Sequence, residues 1–525
     1  MTTTRGAIAA GDAATANAAA EMLCDGGNAF DAVLAAMCAA PVAEPVLASL
    51  AGGGFLLAEP ADGEPVLYDF FCQTPKRGRP ADEIEFYPVD VDFGTTTQEF
   101  HIGMGAVATP GVVAGLFAVH QDLGRLPMAR IVEPAVRLAR RGTEISALQA
   151  HILGVVEPIY LATESTTALF ESSSEPGHVL REGEIYRPGA MADTLEALAR
   201  EGCDLFYRGA IAAELVAACA ASGGMLTHAD LQGYRAVCRQ PLQARFGSAR
   251  ILTNPPPSSG GPLIAFALAM LHGLGAAGKA PDDPAWLMRL ADAMAATNAA
   301  RTGCGLDEVC DDALAALLLS DPIVSQYRDS MRGRALKQGG TTHVSVIDAD
   351  GNAAAMSLSN GEGCGHVLPG CGIMPNNMLG EEDINPYGFH AWTPDTRISS
   401  MMAPTLVDHA DGRRTALGSG GSNRIRTAIL QILMNVLRFG MGLPEAVSAP
   451  RVHYERGLLS VEAVGAPGGF EAQRVARFAD PFPNKELWDH FSMFYGGVHA
   501  VALDPATGAF DGAGDSRRGG VYVTV

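Results

Sequence analysis

The chain has 525 residues, of which 48% are hydrophobic and 18% are charged, and its formal net charge is −21. This length allows two or three average domains or one large layered unit, and it supplies ample apolar material for a core. The strong negative charge, with no run of basic residues longer than two, argues against a nucleic acid or an anionic membrane as a partner.

Signals for export, membrane insertion and metal binding are weak. Acidic residues such as Asp12 and Glu21 interrupt the alanine-rich start, so we expect no signal peptide and a cytoplasmic enzyme. The longest uncharged apolar stretch, residues 33–43, is too short to span a bilayer. The ten cysteines form no CxxC and no paired Cys/His spacing, so we expect no metal. Cys364 and Cys371 could approach each other, but we favour free thiols.

Helical periodicity, with glycine or proline stops, covers much of the first 320 residues. It predicts helices at 14–23, 29–40, two between 109 and 141, then 195–201, 211–221, 263–274 and within 284–319. Strand patterns around turn residues predict hairpins of 52–59 with 66–71, of the strand after Thr341 with 353–358, and of 405–407 with 415–417; further strands are predicted at 498–503 and 520–525. This order favours an α/β fold in which stacked, mainly antiparallel sheets are covered by helices.

The centre of the pattern is a glycine pair placed directly before a threonine that opens a hairpin. Gly339 and Gly340 can adopt backbone conformations closed to other residues, and the polar stretch 321–338 before them is suited to an exposed loop. The Thr341 hydroxyl could therefore attack the Gly340 carbonyl and cut the chain. The new N-terminal threonine would supply a nucleophilic hydroxyl and an α-amine that titrates near neutrality. On these residues alone, an ordinary glycine-rich loop entering a hairpin is the alternative.

Seven motifs, in order along nearly the whole chain, resemble signatures of the γ-glutamyltranspeptidase family of N-terminal nucleophile (Ntn) hydrolases. They are GGNAFDAV (26–33), AGGGFLL (51–57), ATPGVVAGL (108–116), PPPSSGG (255–261), TTHVSVIDADGNA (341–353), RISSMMAPT (397–405) and GSGGSNRI (418–425). The resemblance implies a four-layer αββα sandwich and a proenzyme that cuts itself before Thr341. Residues 1–340 and 341–525 would then be two fragments that form one intertwined globular unit.

The resemblance also assigns the catalytic residues. Thr341 matches the nucleophile, and Ser359 stands where the family has a threonine whose hydroxyl orients that nucleophile. Gly421 and Ser422 match the glycine pair whose backbone N–H groups form the oxyanion hole. Because this loop opens a predicted helix, its unpaired N–H groups and the helix dipole favour developing negative charge.

The substrate contacts implied by the resemblance are only partly kept. Ser399 and Ser400 match the paired serines that bind the substrate carboxylate. The family usually has Asp-Phe-Arg-Glu where this chain reads Asp-Phe-Phe-Cys, so Phe71 occupies the place of the arginine that clamps the α-carboxylate of a γ-glutamyl group. An apolar ring cannot replace a charge-assisted contact that contributes about 1.5–3 kcal/mol.

The positions that would bind the substrate α-amine differ as well. Met378 stands at the first of them, and Glu381 or Glu382 could take the second. The asparagine that the family has two places after the orienting hydroxyl is shifted or absent, because Asn360 and Gly361 stand there. These changes indicate a narrower or different acyl group.

We therefore expect an enzyme that cleaves a small-molecule amide through a Thr341 acyl-enzyme and needs no metal or organic cofactor. The first interpretation is a γ-glutamyltransferase-like hydrolase or acyl transferase that acts on γ-glutamyl amides such as glutathione. The alternative is an amidase or acylase for a non-glutamyl acid. A third interpretation, of another class, is a non-catalytic relative that binds ligands and remains uncut.

Overall fold

The computed structural model describes residues 4–92, 97–272, 278, 280–306, 310–329, 341–385, 388–455, 457–465 and 471–525. The strands are β1 Gly6–Ala10, β2 Gly53–Glu59, β3 Val66–Asp69, β4 Tyr87–Asp92, β5 Thr97–Ile102, β6 Thr143–Glu144, β7 Ile185–Tyr186, β8 Val237–Arg239, β9 Leu242–Phe246, β10 Ala249–Thr253, β11 Thr342–Asp348, β12 Ala353–Ser359, β13 Thr405–Asp408, β14 Arg414–Gly420, β15 Val452–Glu455, β16 Leu458–Glu462, β17 Lys485–Trp488, β18 Gly497–Asp504, β19 Ala509–Ala513 and β20 Val521–Thr524. The α-helices are α1 Ala13–Cys24, α2 Ala29–Ala43, α3 Val112–Leu123, α4 Met128–Arg141, α5 Ala147–Val155, α6 Glu157–Tyr160, α7 Glu164–Phe170, α8 Gly189–Glu201, α9 Asp204–Tyr207, α10 Ala210–Ala221, α11 His228–Gly233, α12 Gly260–Leu271, α13 Pro284–Gly303, α14 Asp312–Leu318, α15 Asp321–Asp329, α16 Arg424–Leu437, α17 Leu443–Ser448 and α18 Ala472–Phe478.

Two antiparallel sheets form the centre of the fold. The first has the strand order β20-β1-β11-β12-β2-β3-β8, and the second has the order β19-β18-β14-β13-β10-β9. All three predicted hairpins are present, as β2 with β3, β11 with β12 and β13 with β14. Each sheet combines strands that precede Thr341 with strands that follow it.

The two sheets stack face to face, and helices cover them. Strand β11 contacts β14 and β18 of the second sheet, while α2 packs on β11 and β12 from the other side. The alternation of side chains explains this arrangement, because Val344 and Val346 lie in one apolar core with α2, whereas Ile347 lies in another core with residues of the second sheet. Helices α12 and α16 contact the second sheet. The predicted mixed α/β fold with stacked antiparallel sheets and covering helices is thus observed.

Helix α2 is a central support of the first sheet, and each of its residues is buried. Asn28 begins it with a capping box, in which its side chain accepts from the N–H of Asp31 and the Asp31 side chain accepts from the N–H of Asn28. The predicted end at residue 40 was wrong, since the helix continues through Pro41 to Ala43. A proline removes one donor, but packing on all sides retains the helical path, and the Glu44 N–H still bonds to the Ala40 carbonyl at 2.7 Å.

Several other sequence expectations can be compared with the described residues. The stretch 321–329 forms helix α15, so the exposed loop expected there is helical over this part. The rest of that stretch, including Gly339 and Gly340, lies outside the described residues, as do residues 273–274 of a predicted helix. All ten cysteines are free thiols, which confirms that prediction. Across the described ranges, no helix combines the length and apolarity needed to cross a membrane.

A buried histidine connects the two sheets near the start of β11. The His343 ring is hydrogen-bonded to the hydroxyls of Ser357 and Ser345, at 2.8 and 3.0 Å, and the Ser345 hydroxyl donates to the carbonyl of His499 in the second sheet at 3.1 Å. Burial, together with nearby His499, lowers the pKa of His343 well below its usual value, so the ring is neutral. A Cβ on Gly418 would lie 2.2 Å from His343 Cε1, so the ring requires a glycine above it.

Replacing this glycine should destabilise the protein. We expect Gly418→Ala to lower the free energy of unfolding by about 1–3 kcal/mol, because the added methyl group overpacks the space between the sheets. Gly154→Ala is the matched control and should not destabilise the protein. A Cβ at this position in α5 meets no atom within 4 Å, and a glycine within a helix is less stable than an alanine by about 0.5–1 kcal/mol. Chemical unfolding measures both variants, and equal stability of the two would contradict the packing described here.

Candidate active site

Thr341 lies at the start of β11, where the ladder of the hairpin defines its neighbour. Thr342 pairs with Leu358 across the β11–β12 ladder, so the same register places Thr341 opposite Ser359. Both side chains are nearly buried, at 5% and 7% exposure. The expected nucleophile and its expected orienting hydroxyl are therefore cross-strand neighbours.

The same row of residues continues across two more strands. Ser359 pairs with Gly53 of β2, and the β2–β3 register, extended by two pairs through Gly54 and Phe70, places Phe71 beside Gly53. A Cβ on Gly53 would lie 2.9 Å from Phe71 Cδ2, so the ring covers the space that the glycine leaves. The Phe71 ring also stacks on Phe55 with centroids 5.4 Å apart. Because directly paired residues share a face of the sheet, Phe71 lies on the same face as Thr341.

These residues line a small pocket of about 420 Å³, a volume that includes space open to solvent. Six of its twelve lining residues are apolar, and the other six carry polar or acidic side chains. The lining residues are Phe71, Thr341, Ser359, Met378, Glu381, Asp383, Ile384, Ser400, Met401, Met402, Ser422 and Ile425. No arginine or lysine is among these described lining residues.

The glycine-rich loop, by which we mean residues 418–422 at the end of β14 and just before α16, closes one side of the pocket. A Cβ on Gly420 would lie 2.0 Å from the Thr341 carbonyl oxygen, so only glycine allows the backbone at position 420 to lie this close to the backbone of Thr341. Gly421 and Ser422 both have positive φ angles, +116° and +49°, and the second is uncommon for a residue with a side chain. Helix α16 begins two residues after Ser422, so this loop lies at a helix N-terminus, where backbone N–H groups lack intrahelical partners.

Two acidic side chains enter the pocket from the segment after Met378. The Ser422 hydroxyl donates to Asp383 Oδ2 at 3.1 Å, which ties this segment to the glycine-rich loop. Glu381 Oε1 is buried and has no hydrogen-bond partner among the described residues. Burial, followed by the charges of Glu362 and Asp383, raises the pKa of Glu381 well above its usual value. Glu381 is therefore the better placed of the two glutamates proposed from sequence, since Glu382 is exposed.

The paired serines differ in position. Ser400 lines the Thr341 pocket, and its Oγ accepts from the N–H of Met402 at 3.1 Å. Ser399 does not line this pocket, and its hydroxyl donates to the Pro257 carbonyl at 2.8 Å. Asn360 is fully buried and is also absent from the pocket wall. The structure therefore brings only one member of the serine pair to the nucleophile.

An arginine does lie behind Phe71, but its charge is used elsewhere. The Arg397 guanidinium donates to the backbone carbonyl of Phe71 and to the hydroxyl of Tyr234, and it donates to the Arg235 carbonyl at 2.8 Å. Its Nε lies 3.4 Å from Asp69 Oδ1. Arg397 therefore holds the end of β3 in place and is absent from the wall of the Thr341 pocket.

A larger cleft of about 1070 Å³, a volume that again includes open solvent, adjoins the small pocket. The two share Asp383, Ile384, Ser400 and Met401 as lining residues. Most of the remaining wall is apolar or uncharged, and it includes Leu306, Trp392, Ile398 and Pro257 together with two arginines, Arg301 and Arg397. Thr341 and Ser422 line the small pocket but not the cleft. A molecule bound at the nucleophile would therefore extend into the cleft past the shared residues.

Sequence reasoning missed several residues of this site. Asp383 lies only two residues beyond Glu381, but its bond to the glycine-rich loop depends on a contact 39 residues away along the chain. Met401, Met402 and Ile425 lie inside or at the edge of the recognised motifs, yet no local pattern distinguishes a pocket wall from the core. Their proximity to the motif serines and to the glycine-rich loop was the available signal.

Comparisons with known proteins agree with this geometry. A family model described as Gamma-glutamyltranspeptidase matches residues 15–525. The chain is 31% identical to the acylase ACY 1 proenzyme of Pseudomonas sp. (strain V22), over 100% of this chain and 94% of that protein. It is 30% identical to the glutathione hydrolase proenzyme of Escherichia coli (strain K12), over 86% of this chain and 81% of that protein.

Solved structures show the same likeness. The cephalosporin acylase from Bacillus halodurans matches with a TM-score of 0.83 at 23% identity, over 99% of this chain and 96% of that chain. The gamma-glutamyltranspeptidase of Helicobacter pylori matches with a TM-score of 0.53 at 25% identity, over 62% and 91%. The resemblance seen in the sequence motifs is confirmed: the chain belongs to the gamma-glutamyltranspeptidase family, and it is an enzyme of the hydrolase or transferase type.

Proposed function

We propose that this protein is a self-cleaving amide hydrolase that uses Thr341 as its nucleophile and acts on an acyl group other than γ-glutamyl. The observation that carries the proposal is the position of Phe71, which lines the pocket in one row with Thr341 and Ser359. The sequence favoured γ-glutamyl amides first and an acylase second; we place the acylase first because Phe71 and other apolar side chains line the pocket.

Self-cleavage would come first. The Thr341 hydroxyl attacks the Gly340 carbonyl carbon, the peptide bond to the Thr341 nitrogen breaks, and water hydrolyses the resulting ester. Relatives named as proenzymes support such a step. The two fragments would remain together, because each central sheet combines strands from both. Helix α2 contacts the first sheet, the first sheet contacts the second, and α12 and α16 contact the second sheet. This order of layers supports the four-layer αββα sandwich implied by the resemblance.

In turnover, the free α-amine of Thr341 takes the proton of its own hydroxyl as the oxygen attacks the substrate carbonyl. The backbone N–H groups of Gly421 and Ser422 stabilise the oxyanion, while the Ser359 hydroxyl orients the nucleophile. The α-ammonium then returns its proton to the departing amine as the C–N bond breaks. Water attacks the Thr341 ester by the same proton transfer and releases the acid.

The pocket wall favours an acyl group without a carboxylate. Phe71, Met378 and Ile425 supply apolar surface, and Asp383 would repel a carboxylate placed beside it. The guanidinium of Arg397 is already bonded to the carbonyl of Phe71 and cannot act as the missing clamp. A small apolar acyl group, next to the wide and mostly apolar cleft that would receive the amine, fits these walls better than glutathione. A relative that is named an acylase supports an acylase activity, without specifying its acyl group.

Hydrolysis or transfer of a γ-glutamyl group is the second candidate. It is favoured by Glu381, whose buried Oε1 lacks a partner among the described residues and could accept a hydrogen bond from a substrate α-ammonium. A relative named glutathione hydrolase supports it as well. A cytoplasmic location stays a prediction from the sequence.

Removing the Thr341 hydroxyl should abolish both cleavage and turnover. We expect the purified protein to give fragments of 340 and 185 residues (525 − 340), and Thr341→Ala to remain one band of 54.6 kDa without activity. Denaturing electrophoresis and intact mass measure the fragments. Thr341→Ser is the control, because it keeps a hydroxyl and should still be cut. Activity in an intact chain would contradict the proposal.

Restoring a clamp should shift the acyl preference. We expect the wild-type protein to cleave a p-nitroanilide with a small apolar acyl group faster than γ-glutamyl-p-nitroanilide. Phe71→Arg should raise the ratio of kcat/KM for the γ-glutamyl substrate over the apolar one by about 10- to 100-fold, the value of a charge-assisted contact. Phe71→Leu is the control, which stays apolar and should leave the preference unchanged. Faster cleavage of the γ-glutamyl substrate by the wild type would favour the second candidate.

The backbone at Ser422 should matter more than its side chain. Ser422→Gly keeps the N–H and suits φ +49°, so we expect kcat within about threefold of wild type. Ser422→Val places a β-branched residue at this φ and should displace the N–H, with a loss of about 10²-fold in kcat per cleaved molecule. Steady-state kinetics distinguish the two, and equal activities would show that this N–H plays no part.

A further inference from the structure

Glu44 is a buried carboxylate that no step described above uses. It directly follows helix α2 and is 1% exposed. Its Oε2 accepts a hydrogen bond from the Thr342 hydroxyl at 2.7 Å, and its Oε1 accepts one from the Thr15 hydroxyl at 2.9 Å. An ionisable group placed this deeply needs a reason, because burial of a carboxylate is costly unless its partners compensate.

The contact with Thr342 has a particular consequence at this place in the chain. After cleavage before Thr341, Thr341 is the first residue of the new chain and Thr342 is the second. The Thr342 hydroxyl, which binds Glu44, is therefore one residue away from the new chain end. A chain end frays unless something holds it. The β11–β12 ladder fixes Thr342 from one side, through its pairing with Leu358. The bond to Glu44 fixes it from the helical side.

Glu44 is itself held tightly. A Cβ on Gly11 would lie 2.7 Å from Glu44 Oε2, 3.0 Å from Thr342 Oγ1 and 3.4 Å from His499 Nε2, so these groups leave no free space between them. Arg518 influences the Glu44 carboxyl electrostatically, and its guanidinium would lie 3.3 Å from a Cβ on Gly421. The buried guanidinium of Arg518 therefore lies near both Glu44, which binds Thr342, and Gly421 of the glycine-rich loop.

We propose that Glu44 is a positioning residue, which holds the cleaved end of β11 through Thr342 and so places the Thr341 hydroxyl and amine for attack. This inference rests on the proposed function, since it takes Thr341 as the nucleophile. Glu44 itself touches neither the substrate nor the reacting atoms.

The charge of Glu44 should change near neutral pH. Burial first, and then the charge of Asp12, raises the pKa of Glu44 to about 7, against the opposing effects of the Thr342 and Thr15 hydroxyls and of Arg518. His499 also faces this carboxyl from β18, and burial lowers the pKa of His499 to about 4, so it stays neutral in the range considered. Above about pH 7 the carboxylate holds Thr342 strongly, and below it the protonated form is a weaker acceptor.

The first test removes the Thr342 hydroxyl. Thr342→Val keeps the shape of the side chain and should lower kcat per cleaved molecule by about tenfold or more, with KM within about twofold, because only the placement of the nucleophile changes. Thr342→Ser keeps the hydroxyl and should retain most of the activity. Thr253→Val, a buried threonine replacement in β10 of the other sheet, is the matched control and should leave kcat unchanged.

The second test reads the pH dependence of kcat. In the wild type, loss of a proton from the Thr341 amine supplies the base, and loss of a proton from Glu44 strengthens its bond to Thr342, so the acid limb of log kcat against pH should be steeper than one around the titration of Glu44. Glu44→Gln removes one of these titrations while keeping a side-chain carbonyl for Thr342. Its acid limb should have a slope of one.

Each outcome decides for or against the anchor. Thr342→Val with the activity of Thr253→Val, or Glu44→Gln with both the kcat and the acid limb of the wild type, would overturn it. A folded Thr342→Val chain, judged by circular dichroism, that cannot cut itself would support the anchor, because self-cleavage needs the same hydroxyl placement. If Thr341→Ala were still cut and active, the proposed function itself would fail; if only the Thr342 and Glu44 results failed, the function would stand without the anchor.

Discussion

The register of four neighbouring strands is the constraint on which this site depends. It places Thr341, Ser359, Gly53 and Phe71 in one row across the sheet, on the same face. A slip of one residue in any of these strands would turn part of the row to the opposite face and separate the nucleophile from its neighbours. Burial on both faces of the sheet resists such a slip, because Val344 and Val346 pack with α2 while Ile347 packs with the second sheet.

Close backbone approach supplies the second half of the arrangement. Gly420 touches the carbonyl of Thr341, and the neutral ring of His343 lies under Gly418, so the glycine-rich loop is pressed against the start of β11. The loop then turns through two residues of positive φ into helix α16. Packing between the layers, rather than any single ion pair, thus fixes the positions of the nucleophile, the backbone N–H groups and the buried Glu44. Because these groups do not depend on the residues that contact the substrate, the family can keep its chemistry while the substrate contacts change at Phe71 and Met378.

The sequence predicted the local structure around this site. Alternation and the Asp350-Gly351 turn predicted the central hairpin, which is present, whereas Ser359 was assigned from the resemblance and its pairing opposite Thr341 is read from the observed register. The orientation of Phe71 could not be predicted, because it depends on the register of β3 and Phe71 lies two residues past the end of that strand at Asp69. Ser399 matches a motif as well as Ser400 does, yet its hydroxyl is bonded to Pro257 and it lies outside the small pocket.

Long-range pairing was beyond local patterns altogether. Strand β1 lies between β11 and β20, so the middle and both ends of the chain meet in one sheet. The contact of Glu44 with Thr342 joins residues 298 positions apart, and the bond between Asp383 and Ser422 joins residues 39 positions apart. Helix α2 continued through Pro41 because tertiary packing outweighed a local stop signal.

The central claim is that a new amino-terminal threonine carries the acyl group during turnover. It is tested most directly by acid-quenching the enzyme with an apolar acyl p-nitroanilide and measuring the intact masses of both fragments. We expect the acyl mass on the fragment of 185 residues, localised by peptide sequencing to its first residue, Thr341, and none on the fragment of 340 residues. Steady turnover with no acyl group on either fragment, or an acyl group on a residue other than Thr341, would contradict the account.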